Sequence, residues 1–164
     1  MRSFLVGGGL IVVDNRLLLA ANRRRQGTLE WTPPGGVIDE GETITAGITR
    51  EVFEETGLAV PEWKGGQHYT VTVHAPDMGW QMSVESWFSD VASGEISLND
   101  PDRIVEHAEF VDLAQVEALL TDSPLWVKLP ILAWLAAGMV PVERFEFVVH
   151  GADRATARVE QRFP

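Results

Sequence analysis

Three glutamates crowd the end of the stretch "GGVIDEGETITAGITREVFEETGL", at positions 51, 54 and 55. Carboxylates set this close repel one another, and like charges at i,i+4 weaken a helix by about a few tenths of a kcal/mol. The chemistry open to such a cluster is that of hard oxygen ligands. Mg²⁺ or Mn²⁺ prefers grouped carboxylates and would balance their charge. Arg50 adds one cation and an i,i+4 contact to Glu54, which leaves three anions against a single positive charge.

The spacing predicts a helix over 43–56, opened by Thr43 or Glu42 and closed at Gly57, where a C-terminal glycine belongs. At about 100° per residue, with Ile44 at zero, Ile48 falls near 40° and Val52 near 80°. On the same wheel Glu51 lies near about −20°, Glu55 near about 20° and Glu54 near about −80°. Two of the carboxylates therefore continue the apolar stripe instead of facing away from it, and a partly buried carboxylate needs a partner. They also sit at the negative end of the helix dipole. Gly47, near about −60°, would let a metal-bound substrate or another backbone come close, since it has no Cβ. The plain alternative is an amphipathic helix with solvated glutamates.

From Gly36 the stretch runs five residues to Glu42 and seven more to Arg50-Glu51-Val52-Phe53-Glu54-Glu55-Thr56-Gly57-Leu58. This resembles, with no gap or substitution, the signature of the Nudix hydrolases, GX5EX7REUXEEXGU with U aliphatic. A chance match is on the order of 10⁻¹⁰ per starting position. The flank "WTPPGG" is similar to the aromatic and "PGG" that usually precede the box, with Pro33 as an extra proline. The resemblance implies an α/β/α sandwich with a mixed sheet, in which the box forms loop–helix–loop. It implies hydrolysis of a nucleoside diphosphate linked to another group, with Mg²⁺ or Mn²⁺. Carried over by position, Glu51, Glu54 and Glu55 resemble metal-binding carboxylates, and the carbonyl of Gly35 a further ligand. Arg50 and Glu42 match the pair that orients the helix. The general base of this family is sometimes a box glutamate and sometimes a later loop glutamate. Among Asp100, Asp102, Glu106 and Glu109, Glu106 is the favoured candidate.

Other residues suggest substrate contacts. Arg23, Arg24 and Arg25 form the only basic run in an acidic chain and are suited to gripping phosphates, as Arg forks match phosphate oxygens; the other reading is a loop balancing acidic neighbours. Of the six tryptophans, Trp80 and Trp126 are candidates for stacking on a base. The four histidines lack metal-type spacing.

The elements around these residues read as one chain of mixed strands and helices. Phe4–Val13 and Arg16–Ala21 suggest a hairpin about Asp14-Asn15. Residues 22–36 read as a loop. Two strands follow around 65–76 and 80–91, then a long polar loop, a short strand at "EFVDL", helices at about 114–121 and 125–137, and a final hairpin. The expected organisation is a catalytic domain over 1–140, with the hairpin of 141–164 packed on it as an extension outside the usual core, as a cap or a contact in a possible homodimer.

Bulk properties narrow the class further. A net charge of −11 argues against nucleic acid as a partner. The absence of cysteine excludes disulfides and thiol chemistry. The apolar N-terminal run is broken by glycines and Asp14, and the run "LPILAWLAAGMVPV" is too short to cross a bilayer, so no membrane role and a cytoplasmic location are expected. The substrate is then a nucleotide-type small molecule: ADP-ribose or a nucleotide sugar, or a (d)NTP in oxidised-nucleotide clean-up. The alternatives are a non-catalytic nucleotide-binding or sensor module of the same fold, which usually lacks box glutamates, and a prenyl diphosphate isomerase, which needs a Cys. An EF-hand loop would require ligands alternating around a central Gly, a pattern not found here.

Overall fold

Side chains of successive strand residues point to opposite faces, and the first two strands use both faces. The computed structural model describes residues 1–24, 27–98 and 100–164. In β1 (Arg2–Val13) and β2 (Arg16–Arg23), Leu10, Val12, Leu17 and Leu19 enter one buried cluster, while Ile11 and Leu18 enter another. Asp14 and Asn15 turn between them with φ of 51° and 60°, the left-handed pair that a two-residue hairpin demands.

The smaller cluster packs under α1 (Ile44–Thr56) through Ile48 and Val52. The larger one is closed by α2 (Val116–Leu119), flanked by 3₁₀ turns, and α3 (Leu125–Ala136), which contribute Val116, Ile131 and Trp134. Helices thus cover both faces of the strands, giving an α/β/α sandwich. The remaining strands are β3 (Leu29–Thr32), β4 (Gly35–Val37), β5 (Lys64–Ala75), β6 (Trp80–Ser89), β7 (Val105–Asp112), β8 (Phe145–His150) and β9 (Arg158–Phe163). Their order is β3-β2-β1-β6-β5-β8-β9, with β4 on β1 and β7 on β2. The sheet is mixed, since β1 runs parallel to β6 and β5 parallel to β8.

Two details differ from the sequence expectation. Residues 22–36 are not all loop: β3 and β4 lie within them, paired with β2 and β1. Such three- and four-residue strands are too short to show a period and are fixed by tertiary pairing. The strand around "EFVDL" begins earlier, at Val105, because Asp100 gathers the turn before it, accepting from the N–H groups of Ile104 and Val105 at 2.9 and 3.0 Å. The final hairpin continues the sheet through β8 on β5, and the N–H of Gly151 at its turn is tied to Asp77 at 2.8 Å. No helix among the described residues is long and apolar enough to cross a membrane.

Candidate active site

Helix α1 starts where the Thr43 hydroxyl accepts from the N–H of Ala46 at 3.2 Å. It stops at Gly57, whose φ of 78° allows its N–H to reach the Phe53 carbonyl at 2.8 Å. These caps fix the register of the carboxylates. Trp63 braces the outer flank by donating to Thr49 at 3.0 Å.

Arg50 organises the acidic face. Its guanidinium forks onto both oxygens of Glu42 at 2.9 and 3.0 Å, and reaches Glu51 at 2.8 Å and the Val37 carbonyl at 3.2 Å. The expected i,i+4 contact to Glu54 is present but long at 3.4 Å. Glu42 also accepts from the Asp39 N–H at 3.0 Å, and these bonds, first the Arg50 fork, hold its carboxyl below the usual range. Gly47 has a different use from the expected one. A Cβ there would strike Ile38 and Glu42, so the missing side chain makes room for the orienting pair and not for substrate. At Gly36 a Cβ would collide with the Glu51 carboxyl, so β4 presses directly on that group.

The other carboxylates lack such compensation. Among the described residues Glu55 has one hydrogen bond, from the Gly35 N–H at 3.1 Å. Burial pushes its carboxyl up to about 8, with the charges of Glu51, Asp100 and Glu54 adding to the rise. Glu51, its side chain 16% exposed, is raised by burial as well, against the pull of Arg50. Glu54 is the most open of the three at 34%. The donor set suits a hard divalent cation: partly buried, under-compensated carboxylate oxygens on a rigid helix beside a backbone strand. Among the described residues no three acidic or histidine side chains already converge on one point, and Arg50 holds Glu51.

Beside the box lies a cleft of about 240 Å³ whose lining includes Gly35, Arg24 and Trp126. An outer cavity of about 790 Å³ adjoins it, sharing Arg24 and Trp126 and walled by Asp153 and Arg154 of the C-terminal hairpin. Trp126 thus stands where the two spaces meet. Trp80 does not: it pairs with Arg2 and Ala75, packs against the larger core and lines neither space. Arg24 lines both cavities and is bonded to Glu30 at 2.6 Å; Arg23 lines only the outer one. Arg25 lies outside the described residues.

Glu106 takes a different place from the one expected of a loop base. It sits in β7, bonded to Arg23 at 2.6 Å, and that bond holds its carboxyl below the usual range. The loop carboxylates whose charge acts on the box are Asp100, on Glu55, and Asp102, on Glu51. Of the histidines, His68 is buried and accepts from the Trp134 indole at 2.9 Å, a core contact.

Fold and site together define an α/β/α-sandwich hydrolase with an under-compensated acidic helix beside its cleft. The chain belongs to the Nudix hydrolase family: the model described as NUDIX domain matches residues 5–135. The chain is 30% identical over 120 residues to an ADP-ribose pyrophosphatase of Methanocaldococcus jannaschii, covering 73% of this chain and 68% of that one. It is 32% identical over 114 residues to an RNA pyrophosphohydrolase of Caulobacter vibrioides, covering 64% and 66%. Against the mouse oxidized purine nucleoside triphosphate hydrolase the match is 43% over 51 residues, about a third of each chain. A solved MutT Nudix hydrolase from Burkholderia pseudomallei superposes with a TM-score of 0.61 at 25% identity, over 70% of this chain and 86% of that one. Strands β8 and β9 lie beyond the matched residues.

Proposed function

We propose that the protein hydrolyses the diphosphate linkage of a nucleoside diphosphate derivative with the aid of Mg²⁺ or Mn²⁺. The observation that carries this reading is the state of Glu55 and Glu51: partly buried carboxylates on a capped helix, raised by desolvation, with less cationic compensation than their charge calls for. Glu51, Glu54 and Glu55 would hold the cation, with the Gly35 carbonyl as a further oxygen. When bound, the cation would neutralise diphosphate oxygens and make a nearby water more acidic.

The chain's own residues supply the rest. Arg50, locked to Glu42, keeps Glu51 aimed towards β4. Arg24 lies along the path from the box to the outer cavity and offers a fork to a phosphate or its neighbour. Water adds at one phosphorus, the bridging P–O bond breaks, and the leaving phosphate departs with the electron pair. The water's proton goes to a carboxylate. Glu106 is tied to Arg23, and Asp100 is bonded to three backbone N–H groups. Glu54, open and only loosely bonded to Arg50, would hold the cation through one carboxylate oxygen and accept the proton on the other.

The outer cavity supports a substrate with a group on each side of the diphosphate, as in the compound that names the M. jannaschii relative. The net charge of −11 weighs against a long RNA.

The test is turnover with Mg²⁺ and Mn²⁺ on ADP-ribose, nucleotide sugars, dinucleoside polyphosphates and plain and oxidised (d)NTPs. We expect metal-dependent release of a nucleoside monophosphate, reduced about 10²- to 10³-fold or more in Glu54→Gln and in Glu55→Gln. Ligand-dependent stabilisation without any turnover would instead indicate a binding module.

A further inference from the structure

Strand β2 buries five residues in succession, Leu17 to Ala21, and then reaches Asn22. At that step its register against β7 slips, between Ala21 and Asn22. A slip of this kind re-aims the side chain beside it. Asn22 lines the 240 Å³ cleft. Its Oδ1 is shielded from solvent and, among the described residues, has no hydrogen-bond partner. A shielded polar atom without a partner is rare in native proteins and calls for a reason.

The rest of the cleft sharpens the point. Met82, Val84, Val71 and Ile131 make its walls apolar, and Trp126 adds an aromatic wall. Its other polar side chains include Tyr69, Ser86 and Thr32, and Arg24 is paired with Glu30. The volume is below the ~300 Å³ at which sites for whole small molecules begin, so it suits one ring system of a larger ligand. The remainder can extend towards the box or into the outer cavity. A planar, apolar-faced ring that needs a donor and an acceptor at its edge is a nucleobase.

We propose that Asn22 is the base-reading residue of this enzyme, its amide bonding the donor–acceptor edge of the substrate's purine ring within the cleft. This rests on the hydrolase reading for its substrate class, but not for its test. An amide carries a donor and an acceptor side by side, which complements the amino-bearing edge of adenine or the edge of guanine. An unsubstituted purine ring offers no such donor. A site built around a hydrogen bond rejects the ligand that lacks it, because its own polar group is then left unpaired.

The experiment measures binding of AMP, GMP and purine riboside 5′-monophosphate to the full chain by calorimetry in EDTA, so that neither metal nor turnover enters. The wild type should bind the better of AMP and GMP about tenfold or more tightly than the unsubstituted purine nucleotide. Asn22→Leu, close in size, should bring that ratio to within about twofold while the melting temperature holds or rises, since a shielded unpaired amide is removed. Asn22→Ala serves as a second variant should the leucine not be accommodated. A wild type that does not discriminate, or variants that keep its discrimination, would overturn the assignment. Absence of metal-dependent turnover in the wild type would count against the hydrolase reading alone and leave the binding ratio standing.

Discussion

The acidic face of α1 and the arginines at the end of β2 handle charge in opposite ways. Arg23 and Arg24 each meet a carboxylate at 2.6 Å, Glu106 and Glu30. On α1 one guanidinium is shared among Glu42, Glu51 and, loosely, Glu54, while Glu55, among the described residues, has a single backbone N–H. The arginines are neutralised within the fold and can be exchanged at modest cost. The glutamates hold uncompensated charge, which a folded protein keeps only where something else will answer it. Both regions are charged in the sequence, yet only the acidic one is strained by its charge.

The sharpest way to break this contrast is to remove the shared cation. Arg50→Ala should lower stability by about 2–4 kcal/mol, because it leaves Glu42 and Glu51 partly buried and unpaired. Turnover should fall on the order of 100-fold as Glu51 loses its orientation. Arg50→Lys should recover part of the stability but little of the activity, since an ammonium cannot fork onto Glu42. Denaturant unfolding and kcat/KM on the same samples would check both. Equal recovery of the two by lysine would mean that only the charge matters.

Next in size is a pH effect on metal-free protein. Burial raises Glu55 from an ordinary value of 4.5 to about 8. Between those values the folded state binds more protons than the unfolded one, so stability should fall as pH rises from about 4.5 and level off above about 8. The total is on the order of a few kcal/mol. Glu55→Gln has no such titration and should flatten this part of the profile, overtaking the wild type at high pH. Chemical denaturation in EDTA across the range would read it, and an unchanged slope in the variant would place the titration elsewhere.

How much of this could be read beforehand follows from the same physics. The helix and its caps were legible because local spacing dictates them, and the Arg50–Glu42 pair because the resemblance to the Nudix signature implies it. Gly47 was misjudged because its reason, the side chains of Ile38 and Glu42, comes from residues outside the wheel. Strands β3 and β4 hid in a loop because three or four residues carry no period. Trp80 and Trp126 looked alike in sequence, and both pack half-buried against the larger core; only the fold sets Trp126 also where cleft and cavity meet. Asn22 gave no local sign at all. Its interest comes from a register slip against β7, more than 80 residues downstream.

Smaller effects are expected on the arginine side, and they separate a residue that lines the cleft from one that does not. Arg24 borders both cavities, so Arg24→Ala should raise KM about tenfold with little change in kcat, as expected for uniform binding. Arg23 lines only the outer cavity, and Arg23→Ala should raise KM less.

The smallest effect is expected at Glu106, and it decides whether a paired carboxylate can also be the base. Its carboxyl is held below the usual range by Arg23, which makes it a weak proton acceptor near neutral pH. Its exposed ion pair contributes little to the fold. Glu106→Gln should therefore keep kcat within about threefold of the wild type, with the acidic limb of the pH–rate profile unmoved. If Glu106 were the base, the same variant would lose about 10²-fold or more and that limb would disappear. The outcome bears on the whole contrast: a paired, exposed carboxylate on β7 would then do chemistry that the uncompensated glutamates of α1 are better placed to do.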